Sequence, residues 1–287
     1  MADPETISRL RRIAAEIRLL VVKMMGSGRA HHFGGSLSAA DIITALYFYR
    51  MNYDPNNPKW PERDRLIMSK GHSVPVQYAA LAMLGVFDVD ELFTLKKLGS
   101  RLQGHPAMHC TPGLEGCTGA LGEGLSYANG MALAARVKGL NYRIFCVIGD
   151  GELHEGQIWE AAMTTPRKGL ANVIALIDRN RLKAMDATDS CKSMDPLALR
   201  WESFGWAVQE IDGHNMQQIC DALDWACSVK SRPSAIICNT VKGKGVSFCE
   251  GEAGFHNAPI SEEQYQRAVQ ELEAKLRQLE GANATAH

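Results

Sequence analysis

Several common features are missing from this 287-residue chain, and each absence removes a class of function. Neither sign of charge is in excess: 31 Lys and Arg stand against 32 Asp and Glu, a net charge of −1. Nothing in that balance points to nucleic acid or an anionic membrane surface as a partner. No apolar run is long enough to cross a bilayer. The N-terminus, Met1-Ala2-Asp3-Pro4-Glu5, lacks the basic stretch and apolar core of an export signal. The eight cysteines include no C-x-x-C pair and no His/Cys cluster at zinc spacing, so reduced, mostly buried thiols in a cytoplasmic enzyme are expected. There is no internal repeat and no low-complexity tract.

What is present suits a chain able to bury a sizeable core, at the upper edge of one domain. Ile7, Leu10, Ile13, Ala14, Ile17, Leu20 and Val21 recur at helical spacing, with Arg9, Arg11, Arg12 and Arg18 between them. The spacing predicts an amphipathic helix that stops at Gly26-Ser27-Gly28. A second helix is expected from an N-cap at Ser38 through Ile42, Ile43, Leu46, Tyr47 and Tyr49, before Pro55, Pro58 and Pro61 force a loop. Further helices are expected near 72–84 and 90–98. From Leu121 onward the elements alternate: helix 121–138, strand 143–148, helix 155–165, strand 172–177, helix 215–230, strand 235–241. That alternation predicts an α/β fold with a doubly wound, mostly parallel sheet flanked by helices. Residues 1–260 form this unit. Residues 261–287 read as a charged helical arm, with Leu272, Leu276 and Leu279 on one side to dock it.

Two short apolar runs carry the functional signal. Ile144-Phe145-Cys146-Val147-Ile148 opens into Gly149-Asp150-Gly151, and Val173-Ile174-Ala175-Leu176-Ile177 ends in Asp178-Arg179-Asn180. Each reads as a buried strand of a parallel sheet. Ligands of such sheets bind in the crevice at the strands' carboxyl ends, so Asp150 and Asn180 should meet there. A carboxylate and an amide oxygen suit Mg²⁺, which keeps waters and accepts phosphate oxygens. Gly149 and Gly151 would let the backbone approach a diphosphate. No basic cluster stands beside this motif, so the ion would do the neutralising. Two lookalikes fail. Gly119-Ala120-Leu121-Gly122-Glu123-Gly124 has the order G-x-x-G-x-G without a strand before it, and Lys242-Gly243-Lys244-Gly245 lacks the frame of a Walker loop.

The ordered combination of strand, Gly149-Asp150-Gly151, Glu152, Glu155-Gly156, Trp159-Glu160-Ala161, strand and Asp178-x-Asn180 resembles the thiamine-diphosphate signature of transketolases. Ser69-Lys70-Gly71-His72, Gly104-His105-Pro106, Thr118 to Gly124, Lys242 to Gly245 and His256-Asn257-Ala258-Pro259 agree with that family, from about Gly28 to Pro259. The resemblance implies a thiamine-diphosphate-binding fold. It also implies Mg²⁺ held by Asp150, Asn180 and the Leu182 carbonyl, and thiamine diphosphate contacted by His72, Gly119, Ala120, Leu121, Gly151, Glu155, Asn180 and His256. His32, His105 and His256 would face the sugar, where imidazole passes protons near neutral pH. The counterparts of Glu155 and Glu160 form an acidic network across a dimer; acidic residues in a first helical turn would equally complement the macrodipole. His214, in Asp212-Gly213-His214-Asn215, matches a transketolase loop without an assigned role.

The same resemblance implies a missing half. The glutamate that activates the aminopyrimidine of the cofactor lies, in transketolases, in a second α/β domain. The chain is thus similar to the N-terminal subunit of a split enzyme, with a partner supplying the pyrimidine-binding domain and that Glu in an α2β2 heterotetramer. Its substrates would be small sugar phosphates or modified sugars, a ketose giving a two-carbon ketol to an aldose. The alternative is a subunit of another thiamine enzyme, a deoxyxylulose-phosphate synthase or keto-acid dehydrogenase type. One segment departs from the family pattern Ser-Gly-His-Pro-Gly. Here Ala30-His31-His32-Phe33-Gly34 replaces a glycine by His31 and a proline by Phe33, which should narrow the mouth, puts the ordinary pentose phosphate in doubt and leaves a sulfonated or branched ketose as an option.

Overall fold

A computed structural model describes residues 2–184, 186–190 and 193–284. Five strands form one sheet: β1 (Arg65–Met68), β2 (Ile144–Gly149), β3 (Val173–Arg179), β4 (Ala207–Asp212) and β5 (Ser234–Asn239). Their order is β1-β2-β3-β5-β4, every pairing parallel, as the alternation predicted. Successive side chains point to opposite faces of a strand, and both faces are covered. Leu66, Phe145, Val147, Ile174, Leu176 and Ile236 pack into one core cluster. Ile67, Ile144, Cys146, Ile148, Val173 and Ile237 pack into another.

The first cluster is covered by α1 (Pro4–Met25), α2 (Phe33–Ser38), α3 (Ala40–Ala45), α4 (Val74–Met83) and α8 (Met216–Ser228). The second is covered by α5 (Gly124–Val137), α6 (Gly156–Arg167) and α7 (Leu197–Ser203). α1 starts on an Asp3 cap accepting from the Thr6 amide at 2.7 Å, and ends at Gly26. The long α9 (Glu262–Ala284) lies along α1, with Ala268 and Leu272 buried and Lys23 paired to Glu273 at 3.1 Å.

Four expectations need correcting. Ser38 caps nothing: it closes α2, and its hydroxyl donates to Asp178 Oδ2 at 2.6 Å, a partner 140 positions away. The helix expected from 121 begins at Gly124, because Gly122 turns the chain through φ +94° just before it. The 90–98 segment contains only a short 3₁₀ stretch, Val89–Thr94. Strands β1 and β4 and helix α7 were not anticipated. Of the cysteines, Cys146, Cys220, Cys227, Cys238 and Cys249 are buried thiols, whereas Cys110 and Cys117 are exposed; Cys191 lies outside the described residues. Among the described residues no helix is long and apolar enough to cross a membrane.

Candidate active site

In the β2–β3 pairing Gly149 stands opposite Asp178, which brings the segments after both strands to one edge. The Asp150 amide donates to the Asp178 carbonyl at 3.3 Å. The Asp150 carboxylate accepts from the Gly151 amide at 2.8 Å and closely from the Arg181 amide, tying the two turns together. Asn180 Oδ1 accepts from the Leu182 amide at 3.2 Å. A cleft of about 210 Å³ opens here, lined among others by Asp150, Gly151, Asn180, Leu182, His72, Leu121 and His256. Seven of the expected site residues thus meet in one place.

Five others, His32, His105, Gly119, Ala120 and Glu155, do not line it. Gly119, Ala120 and Glu155 are exposed, and a Cβ at Gly119 would stand 3.4 Å from the His105 ring. Glu160 is exposed as well. The glutamate that lines the cleft is Glu152. Buried, it accepts from Ser69 Oγ at 2.5 Å, the Gly122 amide at 2.8 Å and the Gly149 amide at 3.0 Å, knitting three loops together.

Beside the cleft, loops that lie far apart in sequence bring four imidazoles together. The His32 ring stands 4.9 Å from His72, 5.3 Å from His256 and 6.2 Å from His105, and His72 is 5.0 Å from His256. Burial, reinforced by neighbouring lysines, and at His32 and His72 also by the other imidazoles, lowers all four pKa values: His32 and His256 fall to about 4 and His72 to about 2. The rings are therefore neutral near pH 7. Lys242 Nζ donates to His256 Nδ1 at 3.1 Å, which puts the His256 proton on Nε2.

The expectation that no basic groups would stand here is overturned. Lys70 and Lys242 both line the cleft. Lys70 is held in a buried ion pair with Asp178 and donates to the Gly35 carbonyl at 2.8 Å. Asp178 also accepts from Thr240, and Lys70 with these hydroxyls keeps its carboxyl below the usual range despite burial. Lys242 donates to the carbonyls of Leu182 at 3.1 Å and Lys183 at 2.8 Å, and burial lowers its pKa to about 8. Neither lysine belongs to a basic run, so only the fold reveals the pair. The expected narrowing by His31 and Phe33 also fails. Phe33 is in the core and His31 is buried against Ala258, so neither stands in the mouth.

The donor set fits a hard cation and a diphosphate. Carboxylate, amide and carbonyl oxygens from Asp150, Asn180 and Leu182 share one cleft, as Mg²⁺ prefers. Burial and nearby Asp178 raise the Asp150 pKa to about 7, and among the described residues no salt bridge pairs it with a side-chain cation. An all-parallel sheet that gathers such oxygens and two ammonium groups at its carboxyl edge defines a diphosphate-binding enzyme of the doubly wound class.

Comparison with known proteins agrees. The profile of the transketolase thiamine diphosphate binding domain matches residues 10–278, and the chain belongs to the transketolase family. It is the diphosphate-binding part of a transferase that moves two-carbon ketol groups. The chain is 46% identical over 257 residues to the 6-deoxy-6-sulfo-D-fructose transketolase subunit SqwG of Clostridium sp., covering 90% of this chain and 94% of that one. It is 41% identical to an apulose-4-phosphate transketolase subunit of Phocaeicola vulgatus, covering 93% and 94%. Human transketolase is 34% identical, covering 96% of this chain but 44% of the human protein. The crystal structure of transketolase from Campylobacter jejuni superimposes with a TM-score of 0.85 at 30% identity, over 92% of this chain and 43% of that one.

Proposed function

We propose that this chain is the diphosphate-binding subunit of a two-chain transketolase whose ketose donor is sulfonated or branched. One observation carries the reading: the ends of β2 and β3 and four histidine-bearing loops meet at a single cleft. Asp150, Asn180 and the Leu182 carbonyl would hold Mg²⁺. The Gly151 backbone, His72, Lys70 and Lys242 would meet the diphosphate oxygens, and Leu121 with Gly119 and Ala120 would border the ring end of thiamine diphosphate. When bound, that cofactor supplies the electron sink for breaking the bond next to a ketose carbonyl.

His32, His105 and His256 would hold the substrate hydroxyls. Neutral imidazoles can accept a hydroxyl proton or donate one without first being deprotonated. His256 would present Nε2–H, since its Nδ1 is engaged by Lys242. The donor class is supported by kinship. The chain is more similar to subunits named for 6-deoxy-6-sulfo-D-fructose and apulose-4-phosphate, at 46% and 41% identity, than to human transketolase at 34%. Those relatives are named as subunits, which supports a C-terminal partner supplying the pyrimidine-binding domain and the activating Glu, in an α2β2 assembly. Cysteine thiols that are mostly buried support a cytoplasmic location.

The test is an assay of the chain with its partner against a panel of ketose phosphates and ketose sulfonates, with Asp150→Ala in parallel. Turnover is expected with at least one modified ketose. Asp150→Ala should abolish Mg²⁺-dependent thiamine-diphosphate binding in a calorimetric titration. Unchanged affinity in that variant would remove the metal clamp, and turnover confined to ordinary pentose phosphates would remove the substrate assignment.

A further inference from the structure

Lys96 is pinned between two of the loops that carry the clustered histidines. Its backbone is left-handed, with φ +58°, a region that a non-glycine residue keeps only where its surroundings fix it. Its amide donates to the Leu102 carbonyl at 3.0 Å, closing the turn between them. The side chain then reaches across to the other loops. Nζ donates to the Ala30 carbonyl at 3.2 Å, just before His31 and His32. A Cβ built on Gly104 would stand 2.7 Å from Lys96 Cε, so the stem lies on bare backbone next to His105.

The ammonium held there has donors to spare. A lysine carries three N–H groups. Among the described residues the Ala30 carbonyl is its hydrogen-bond partner, and no carboxylate pairs with it. Solvent reaches the residue, although it is covered enough for burial to lower its pKa. Its charge is felt at the rings: burial is the first cause of the lowered pKa values of His31, His32 and His105, and Lys96 contributes to all three. Arg29, exposed and also without a carboxylate partner among the described residues, adds to the field at His31. A cation with free donors beside neutral imidazoles suits an anion whose hydroxyl-bearing body lies against those imidazoles. Lys96 does not line the cleft that holds Lys70 and Lys242, so the cofactor's diphosphate is not that anion.

We propose that Lys96 is a specificity-determining residue that binds the terminal oxyanion, phosphate or sulfonate, of the ketose whose hydroxyls His32 and His105 hold. The inference rests on the function proposed above and names what selects a charged donor. A lysine acts here as a compact point charge, which either oxyanion satisfies.

The experiment uses the chain assembled with its partner, Mg²⁺ and thiamine diphosphate. The donors are 6-deoxy-6-sulfo-D-fructose, D-fructose 6-phosphate and D-fructose, which share a skeleton and differ in the terminal group. Lys96→Met should raise KM for the anionic donors about tenfold, as loss of a hydrogen bond to a charged group would, with kcat little changed. Their preference over D-fructose in kcat/KM should fall by the same factor. Wild-type KM for the anionic donors should climb with ionic strength, and the climb should flatten in the variant. Lys96→Arg should keep most of the preference. Gly104→Ala, whose added methyl meets the Lys96 tail first, should reproduce the loss in milder form. A loss confined to one anionic donor would identify the oxyanion that Lys96 serves. Unchanged preference in Lys96→Met overturns the proposal. So does an equal loss with all three donors, or a matching loss of thiamine-diphosphate affinity in a calorimetric titration. Failure of the wild-type assembly to use any of the three donors would instead overturn the substrate assignment.

Discussion

The clustered imidazoles show how burial beside cations can set the working state of a residue. Each would be partly protonated near pH 6.5 in water, but desolvation and adjacent cations favour the neutral ring, and His32 and His256 titrate only at about 4. The sign of the stability effect follows from linkage. Between pH 6.5 and about 4 the unfolded chain binds protons that the folded chain refuses, so stability falls as pH drops through that window and is unaffected above it. Thermal melts of the full chain should show the midpoint declining from pH 7 to pH 4.5. His32→Gln removes one such proton and should make the decline shallower. An unaltered slope would assign the acid sensitivity to groups elsewhere. The histidines were legible in the sequence because each sits beside glycine or proline in a loop. Lys70, Lys242, Glu152 and Asp178 stand in matching motifs, but their roles were not legible: these are charges whose importance comes from burial among partners distant in sequence.

At the scale of elements, α1 is anchored by electrostatics as well as by its apolar stripe. Arg18 reaches Asp41 of α3 with both guanidinium nitrogens, at 2.5 and 3.2 Å, and its Nε donates to the Leu37 carbonyl at 3.3 Å. His214 joins the same carboxylate through Nδ1 at 2.8 Å, while its Nε2 accepts from the Val241 amide at 2.8 Å. Burial would raise the Asp41 pKa, but Arg18 and His214 outweigh it and hold the value at about 2. Arg18→Met would leave that carboxylate buried without its main partner, at a cost of about 3–5 kcal/mol. Urea unfolding should report the loss as a lower midpoint; a change below about 1 kcal/mol would show that the pair roughly breaks even with an apolar contact. Element recognition from sequence followed the same physics. α1 was visible because one face repeats at helical spacing, and β2 and β3 because strands buried on both faces read as unbroken apolar runs. β4 escaped because it pairs only with β5 at the sheet's edge and only its first residue, Ala207, is buried. β1 escaped because four residues are too few to show a period.

For the molecule as a whole, the state of its carboxylates decides what it can do alone. Two of them line the cleft among the described residues, and both are engaged. Glu152 is saturated by Ser69 and two backbone amides, and Asp150 is committed to the turns that join β2 to β3. Neither is left to hydrogen-bond an aminopyrimidine and raise the basicity of its amine. At the cleft Leu121 remains 37% exposed, and Tyr127, on the helix that follows, 41% exposed, so apolar surface beside the site is uncovered. On the proposed function the chain would present the diphosphate seat, the metal ligands and the substrate-facing histidines, with the acid–base group supplied by a partner subunit. A positioned proton-transfer group contributes typically about 10²–10⁴-fold to a rate. The purified chain with Mg²⁺ and thiamine diphosphate should accordingly transfer ketol groups at least about 100-fold more slowly than the mixture with its partner. Titrating the partner in should raise activity to a plateau at equimolar chains. If the isolated chain turned over at the rate of the mixture, one of its own carboxylates would have to be released from its present hydrogen bonds, and the division of labour between two chains would be wrong.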